Sequence, residues 1–422
     1  MNILEFVKRV GPALIVTAVV LGPGSITAST KVGAAFGYST LWILVVLLIL
    51  LIGVTSLAAW LGATSKKTLF SELSEHLGGW AGKTIGIAFF GIVAGFQFSN
   101  NVGVIAGLEP LFPILKGVGY RVAVLVVMNA AIIAILYSSS DLYKQVERIM
   151  KFFILAMVAA FLINFLWSQP SASKIAIGLV PNIAPFQDAD NSFLLMGLIG
   201  TTFSVAGAFY QGYLVREKGW GPKDVKSAFY DSVFGMFVLI GVTSIVLMTS
   251  AATFHGKFTP DELNDASKMS TQLQSAFGPM ASYIFCFGFL AGAFSSFLVN
   301  AMIGGHVFSD GMGFGSELRS GAVRNATTAA MLIGMAVALI PLTNPGMTPT
   351  TAIMVAQAST VIGCPAVMLG LLYLGIRQRR EGEHKTPMWM LVIVSIGTVI
   401  SFGFAIRTTF SLIAKLTAPE VQ

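Results

Sequence analysis

The sequence predicts an all-α integral membrane protein, and three observations carry that expectation. Of the 422 residues, 55% are apolar and only 11% are charged, with a mean hydropathy of +0.80, outside the range of soluble globular domains. Apolar runs long enough to span a bilayer, about 17 to 25 residues each, recur at roughly 10–35, 39–63, 84–108, 119–138, 147–168, 192–214, 228–252, 279–303, 323–342, 348–376 and 387–413. Two of them, the first and the sixth, are interrupted in mid-span by residues that a helix tolerates poorly.

The first run holds Leu21-Gly22-Pro23-Gly24-Ser25. Two glycines around a proline remove an amide donor and admit φ values that a helix cannot use, so the backbone is expected to unwind there. Hydrocarbon cannot satisfy the freed N–H and C=O groups, which survive only against protein or beside a water-filled cavity that holds a substrate. In the sixth run Gly197, Gly200, Thr201, Thr202, Ser204, Ala206 and Gly207 are small or hydroxylated, with Tyr210 and Gln211 just beyond. Small residues alone would fit close helix packing. Paired with the first break at an offset of five spans, they predict corresponding discontinuous helices in two halves, about 10–168 and 192–376, with 387–413 as an added helix. That pairing is the sequence pointer to a transporter's midplane site.

The remaining runs and loops set the organisation. Loops near 169–191 and 254–278 are too short to bury a core of their own, so a single transmembrane domain over 1–422 is expected. Pro181-Asn182-Ile183-Ala184-Pro185 closes the first loop, and Asp261, Glu262 and Asp265 give the second a solvated surface. A cytoplasmic N-terminus places Lys8 and Arg9, Lys66, Lys67 and Lys83, Lys144, Arg148 and Lys151, and Arg216 to Lys226 on the inner side. Arg319 and Arg324, and Arg377 to Lys385, join them there, so most of the 26 Lys and Arg face inward. The positive-inside rule thus predicts an outer C-terminus and a multi-pass protein of a bacterial inner (plasma) membrane. The net charge of +7 belongs to these flanking loops, so the expected partners are the lipid bilayer and a small molecule or ion, with no nucleic acid. Lys8 and Arg9 precede an apolar run too long for a cleaved leader. Cys286 and Cys364 lie in apolar runs at no metal-ligand or disulfide spacing.

The motifs resemble those of the NRAMP family of proton-coupled divalent-metal transporters. Gly22-Pro23-Gly24-Ser25-Ile26, then Gly33-Ala34 and Gly37-Tyr38-Ser39-Thr40-Leu41-Trp42, is similar to the family's DPGN motif and the GYxLLW that follows it. Leu57 to Gly62, Gly178 to Pro181, Leu290 to Ser296, and Gln357 with Pro365 extend the likeness. The resemblance implies eleven transmembrane helices in a leucine-transporter-type fold, with two inverted five-helix repeats, broken helices 1 and 6, and alternating access.

The same resemblance exposes departures. Gly22 and Ser25 stand for the family's metal-binding Asp and Asn, and Ser204-Val205-Ala206 for its Met-Pro-His, while Gln357 keeps the family's Gln. Gln97 and Asn100 replace the acidic pair of its proton route, Gln211 a histidine, Lys31 a Gln and Ser29 an Asp. A dehydrated transition metal wants carboxylate, imidazole or thioether ligands, and losing one formal charge beside a dication costs several kcal/mol even at an effective ε of about 20. The expected cargo is therefore a small polar organic solute, anionic or zwitterionic, bound by Gly22, Gly24, Ser25, Thr201, Ser204, Gly207 and Gln357. The alternative is a divalent cation, Mg²⁺ or Mn²⁺, carried partly hydrated by Ser25, Ser204 and Gln357. A channel or a transport-inactive receptor-like protein is the second alternative.

Lys31, Gln97, Asn100, Gln211 and Asp231 are candidates for a polar pathway or gate. Lys31 reads either as part of the site or as a side chain reaching the outer interface, and Asp231 as an inner-gate or structural residue. Glu109 is expected at the outer end of span 3, Asp310 after span 8, and His306 as an interfacial hydrogen-bonding residue. The coupling ion, H⁺ or Na⁺, stays open. No cofactor is expected, and no enzyme, since no nucleophile, acid–base or phosphate-loop constellation occurs at usable spacing.

Overall fold

The computed structural model describes residues 11–138, 152, 155, 158–159, 161–187, 189–343 and 348–417. The regular elements among the described residues are all helices. Span 1 is α1 (Pro12–Val20) with α2 (Pro23–Phe36), and span 2 is α3 (Leu41–Thr64). The short α4 (Leu69–Leu77) leads into span 3, α5 (Gly79–Leu108), and span 4, α6 (Val118–Ser138). Span 6 is α7 (Ala189–Thr202) with α8 (Val205–Glu217), and α9 (Val225–Phe254), α10 (Ala281–Gly311) and α11 (Gly321–Thr343) are spans 7 to 9. Span 10 is α12 (Pro349–Thr360) with α13 (Cys364–Glu381), and α14 (Met388–Thr417) is span 11. Counting the bent pair α1 and α2 as one, ten spans lie among the described residues. The fifth run, expected at 147–168, falls largely outside them, and its last part, 161–168, is helical.

Length and composition explain the elements. At about 1.5 Å per residue, the 24 residues of α3, nearly continuous Leu, Ile and Val in their first half, exceed a hydrocarbon core of about 30 Å. α4 begins where Thr68 accepts a hydrogen bond from the Ser71 N–H at 3.3 Å, an N-cap that starts the short helix between spans 2 and 3.

α10 lies against α5 and α11, while α8 and α9 lie against α3 and α12 lies between α5 and α7. Glycine permits a close crossing: a Cβ at Gly62 of α3 would intrude on the Gly212 backbone of α8. Both ends of the bundle carry arginine ties. Arg216 donates to the carbonyls of Ser65 at 2.7 Å and Lys67 at 3.0 Å, which binds the end of α8 to the end of α3. Arg121 holds Glu109 at 3.1 Å at the end of α5 opposite α4, where the sequence reading expected that carboxylate.

Candidate functional site at the crossing of the broken spans

Span 1 turns by 57° between α1 and α2. The break is narrower than the sequence suggests. Only Leu21 and Gly22 leave the helix, because Pro23, whose missing N–H costs nothing in a first turn, starts α2. Gly24 and Ser25, expected in unwound backbone, sit instead in that first turn, where amides have no intrahelical acceptor. The freed carbonyls find partners close by. Val20 O accepts from the Gly22 N–H at 2.8 Å, and the Ser296 hydroxyl of α10 donates to Val19 O.

Span 6 likewise opens only at Phe203 and Ser204. Ser204 caps α8 by accepting from the Gly207 N–H at 3.4 Å. Thr201 lies in the last turn of α7, and Gly207, already helical, lies against Val16 of α1.

Gln357 is where the elements meet. Its side chain lies flat on Gly24, where a Cβ would overlap the amide, and its backbone carbonyl lies on Gly200 of α7 in the same way. Gln357 Nε2 donates to Ser99 Oγ of α5 at 2.8 Å, and Thr360 Oγ1 bridges Gln357 O at 2.7 Å and Gly200 O at 3.3 Å. Spans 1, 3 and 6 thus converge on one residue of span 10, Gln357, whose side-chain Oε1 is buried without a hydrogen-bond partner. Just beyond, a 3-10 turn at Val361–Gly363 interrupts span 10.

The Gly22 side of the break faces α5 and α10. An ideal Cβ at Gly22 would lie 2.5 Å from Ser296 Oγ and 3.6 Å from Asn100 Oδ1. Asn100 Nδ2 donates to Gln97 Oε1 at 3.3 Å, and Gln97 Nε2 to Phe297 O at 2.9 Å, so these amides hold α5 against α10. One turn on, Asn101 and Asn129 extend the ladder to α6 at 2.8 Å.

The other candidates divide between the two ends. Asp231 accepts from the Gly11 and Ala13 N–H groups at 2.8 Å each and from Gln211 Nε2 at 3.0 Å. It therefore anchors the start of α1, away from the break. Lys31 lies two turns past Ser25 in α2 and is only 3% exposed, which corrects the reading of it as a side chain at the outer interface. His306, expected at an interface, is 1% exposed, because α8 and α10 close over it. Ser99, Ser296 and Asn300, whose Nδ2 is buried without a partner, are site neighbours that sequence reasoning missed. Small polar residues scattered in apolar runs carry no periodic signal.

Comparison with known proteins accounts for this architecture. A family model described as natural resistance-associated macrophage protein-like matches residues 13–411. The chain belongs to the Nramp family. It is similar to the divalent metal cation transporter MntH of Nostoc sp., 22% identical over 93% of this chain and 88% of that one. The MntH of Deinococcus radiodurans is 25% identical over 92% and 86%. Its fold matches that of a manganese transporter of Eremococcus coleocola with a TM-score of 0.81, at 18% identity over 99% of this chain and 89% of that one.

The leucine-transporter-type fold expected from the motifs is therefore present, and the chain is a multi-pass membrane transporter of the NRAMP type. Against that background the neutral surroundings of the break stand out. Gly22, Ser25, Ser204, Gln97 and Asn100 leave this Nramp chain without a carboxylate at those five positions. Ser296 fills the space that a side chain at position 22 would need, and Asn100 lies in ordinary contact beside it.

Proposed function

We propose that this transporter carries a divalent cation, Mg²⁺ or Mn²⁺, with part of its water shell retained, by alternating access around the breaks of spans 1 and 6. The observation that carries the reading is Gln357, a buried amide oriented by Ser99 with its carbonyl oxygen unpartnered. A bare buried acceptor costs about 1–3 kcal/mol. A cation, or a water bound to one, supplies the missing donor or charge. The relatives, named as divalent metal cation and manganese transporters, support the cargo class.

The neutral donor set supports the hydrated form. Gln357 Oε1 and the Ser25 and Ser204 hydroxyls suit waters of a cation that dehydrates reluctantly, as Mg²⁺ does, better than a stripped ion. Tight binding of the kind a carboxylate gives is not expected.

A second reading, a small anionic or zwitterionic solute, has one observation in its favour. Lys31 is buried in α2, and none of Gly22, Ser25 or Ser204 offers a negative group to oppose an anion. Calorimetric titration of the purified protein with Mn²⁺, Mg²⁺, small carboxylates and amino acids separates the two. The cation reading expects weak, saturable cation binding, reduced at least about tenfold, or ~1.4 kcal/mol, in Gln357→Ala. Saturable carboxylate or amino-acid binding that needs Lys31, with no cation binding, overturns it.

A further inference from the structure

Two buried ionisable groups on α10 take no part in the site at the breaks. Asp310 is 5% exposed and His306 1%, one turn apart on the same face of the helix. The Tyr213 hydroxyl of α8 donates to Asp310 Oδ2, and the Ser71 hydroxyl of α4 donates to Oδ1 at 3.3 Å. The Tyr210 hydroxyl and His306 Nδ1 lie 2.9 Å apart. The two tyrosine rings stack with centroids 5.7 Å apart, and the imidazole packs edgewise on Tyr213 at 4.9 Å. His306 Nε2 is buried without a partner.

Where the cluster sits gives it leverage. α8 is the second half of a broken span and packs on α3, whereas α10 packs on α5 and α11. Tyr210 and Tyr213 are thus the polar ties from the broken span to a helix on the other side of the bundle, between the breaks and the end that carries Arg216 and α4. For that end to open, α8 must part from α10 and these hydrogen bonds must break.

Its chemistry points to a proton. Each side-chain hydrogen-bond partner named for Asp310 and His306 is a hydroxyl, which can donate to a carboxylate or accept from a carboxyl group. Either protonation state can be held without leaving Asp310 bare. Closing the cluster removes water from Asp310, and a dry interior opposes an uncompensated charge. Parting α8 from α10 returns water to it. The charged neighbours are Arg216 and Glu217 of α8. α4 adds Thr68 beside Ser71, while its Glu72 is engaged by Arg377 at 3.3 Å and His76 at 3.4 Å. α5 and α11 approach through Gly82, Gly86 and Thr327.

We propose that Tyr210, Tyr213, His306 and Asp310 form a proton-operated latch between α8 and α10, with Asp310 the group that binds the proton. Protonation at Asp310 holds the latch shut, and release of the proton to water opens it. A proton on His306 acts in the opposite sense, since it would place a positive charge in the closed, water-free cluster.

The test needs no cargo, so it stands or falls apart from the proposed cation. Nitroxide labels are placed at exposed positions on either side of the latch, Lys223→Cys and Glu317→Cys, in a chain with Cys286→Ser and Cys364→Ser. Their separation is measured by pulsed electron paramagnetic resonance in lipid nanodiscs between about pH 5.5 and about pH 8, the range in which buried acids and histidines switch.

The expected result is a short-distance population that grows as pH falls. Asp310→Asn should abolish that growth, and His306→Gln should keep it. Tyr213→Phe, which retains the ring and removes only the hydroxyl, should enlarge the long-distance population at every pH. A separation that ignores pH in the unaltered latch overturns the proposal, as does an Asp310→Asn chain that responds like the parent. Should Asp310→Asn not fold, the Tyr213→Phe result decides alone: a distribution and pH response equal to the parent's overturns the latch.

Discussion

Gly22→Asp alone is expected to leave cation affinity within about twofold of the parent, while Gly22→Asp combined with Ser296→Ala is expected to tighten Mn²⁺ binding at least about tenfold, or ~1.4 kcal/mol. The reason is steric before it is electrostatic. A Cβ at position 22 would lie 2.5 Å from Ser296 Oγ, so a carboxylate introduced there must first displace the hydroxyl that caps Val19 O. With the hydroxyl removed, the new carboxylate can turn toward the break beside Asn100. Opposite charges at about 4 Å interact by ~4 kcal/mol at an effective ε of about 20, of which desolvation takes a large part. Calorimetric titration of the single and double variants measures the gain. No gain in the double variant would show that position 22 does not face the bound ion.

Loss of Asp231 should be the most damaging single change to stability. Its two oxygens receive the Gly11 and Ala13 amides and Gln211 Nε2, so Asp231→Ala strands three buried donors and frees the start of α1 from α8 and α9. A stability loss of about 3 kcal/mol is expected, seen as a marked fall in the thermal transition of the purified protein. Asp231→Asn, which keeps one acceptor oxygen, should fall by less than half as much. An Asp231→Ala protein as stable as the parent would remove this anchor from the account. The anchor also bears on transport, because α1 must be held at its far end if motion is to concentrate at Leu21 and Gly22.

The spans among the described residues and both breaks could be read from the sequence because each has a local signature, whereas Gln357 was singled out through the family resemblance alone. Glycine beside proline disrupts a helix wherever it occurs, and a run of hydroxyl and glycine residues marks the sixth span. The limits of the break were also legible, although the sequence reading set them too wide: a proline starts a helix as readily as it stops one, so Gly24 and Ser25 fold into α2.

What surrounds the break was not legible. Ser99, Ser296 and Asn300 are single polar residues in apolar helices, and their roles depend on which helix faces which. The 3-10 interruption at Val361–Gly363 has only one glycine to announce it. The pairing of Tyr210 with His306 joins residues 96 apart in sequence, and burial by α8 is what turned an expected interfacial histidine into an interior one.

As proposed, a divalent cation moves through a neutral site centred on Gln357. The most direct measurement is flux in sealed liposomes containing the purified protein, with an internal Mn²⁺- or Mg²⁺-sensitive dye. Saturable uptake is expected, faster when the same cation is preloaded inside and lost in Gln357→Ala. Uptake that never saturates and ignores preloading would indicate a channel. Cation binding without any flux, or flux equal in the parent and in Gln357→Ala, would contradict the account outright.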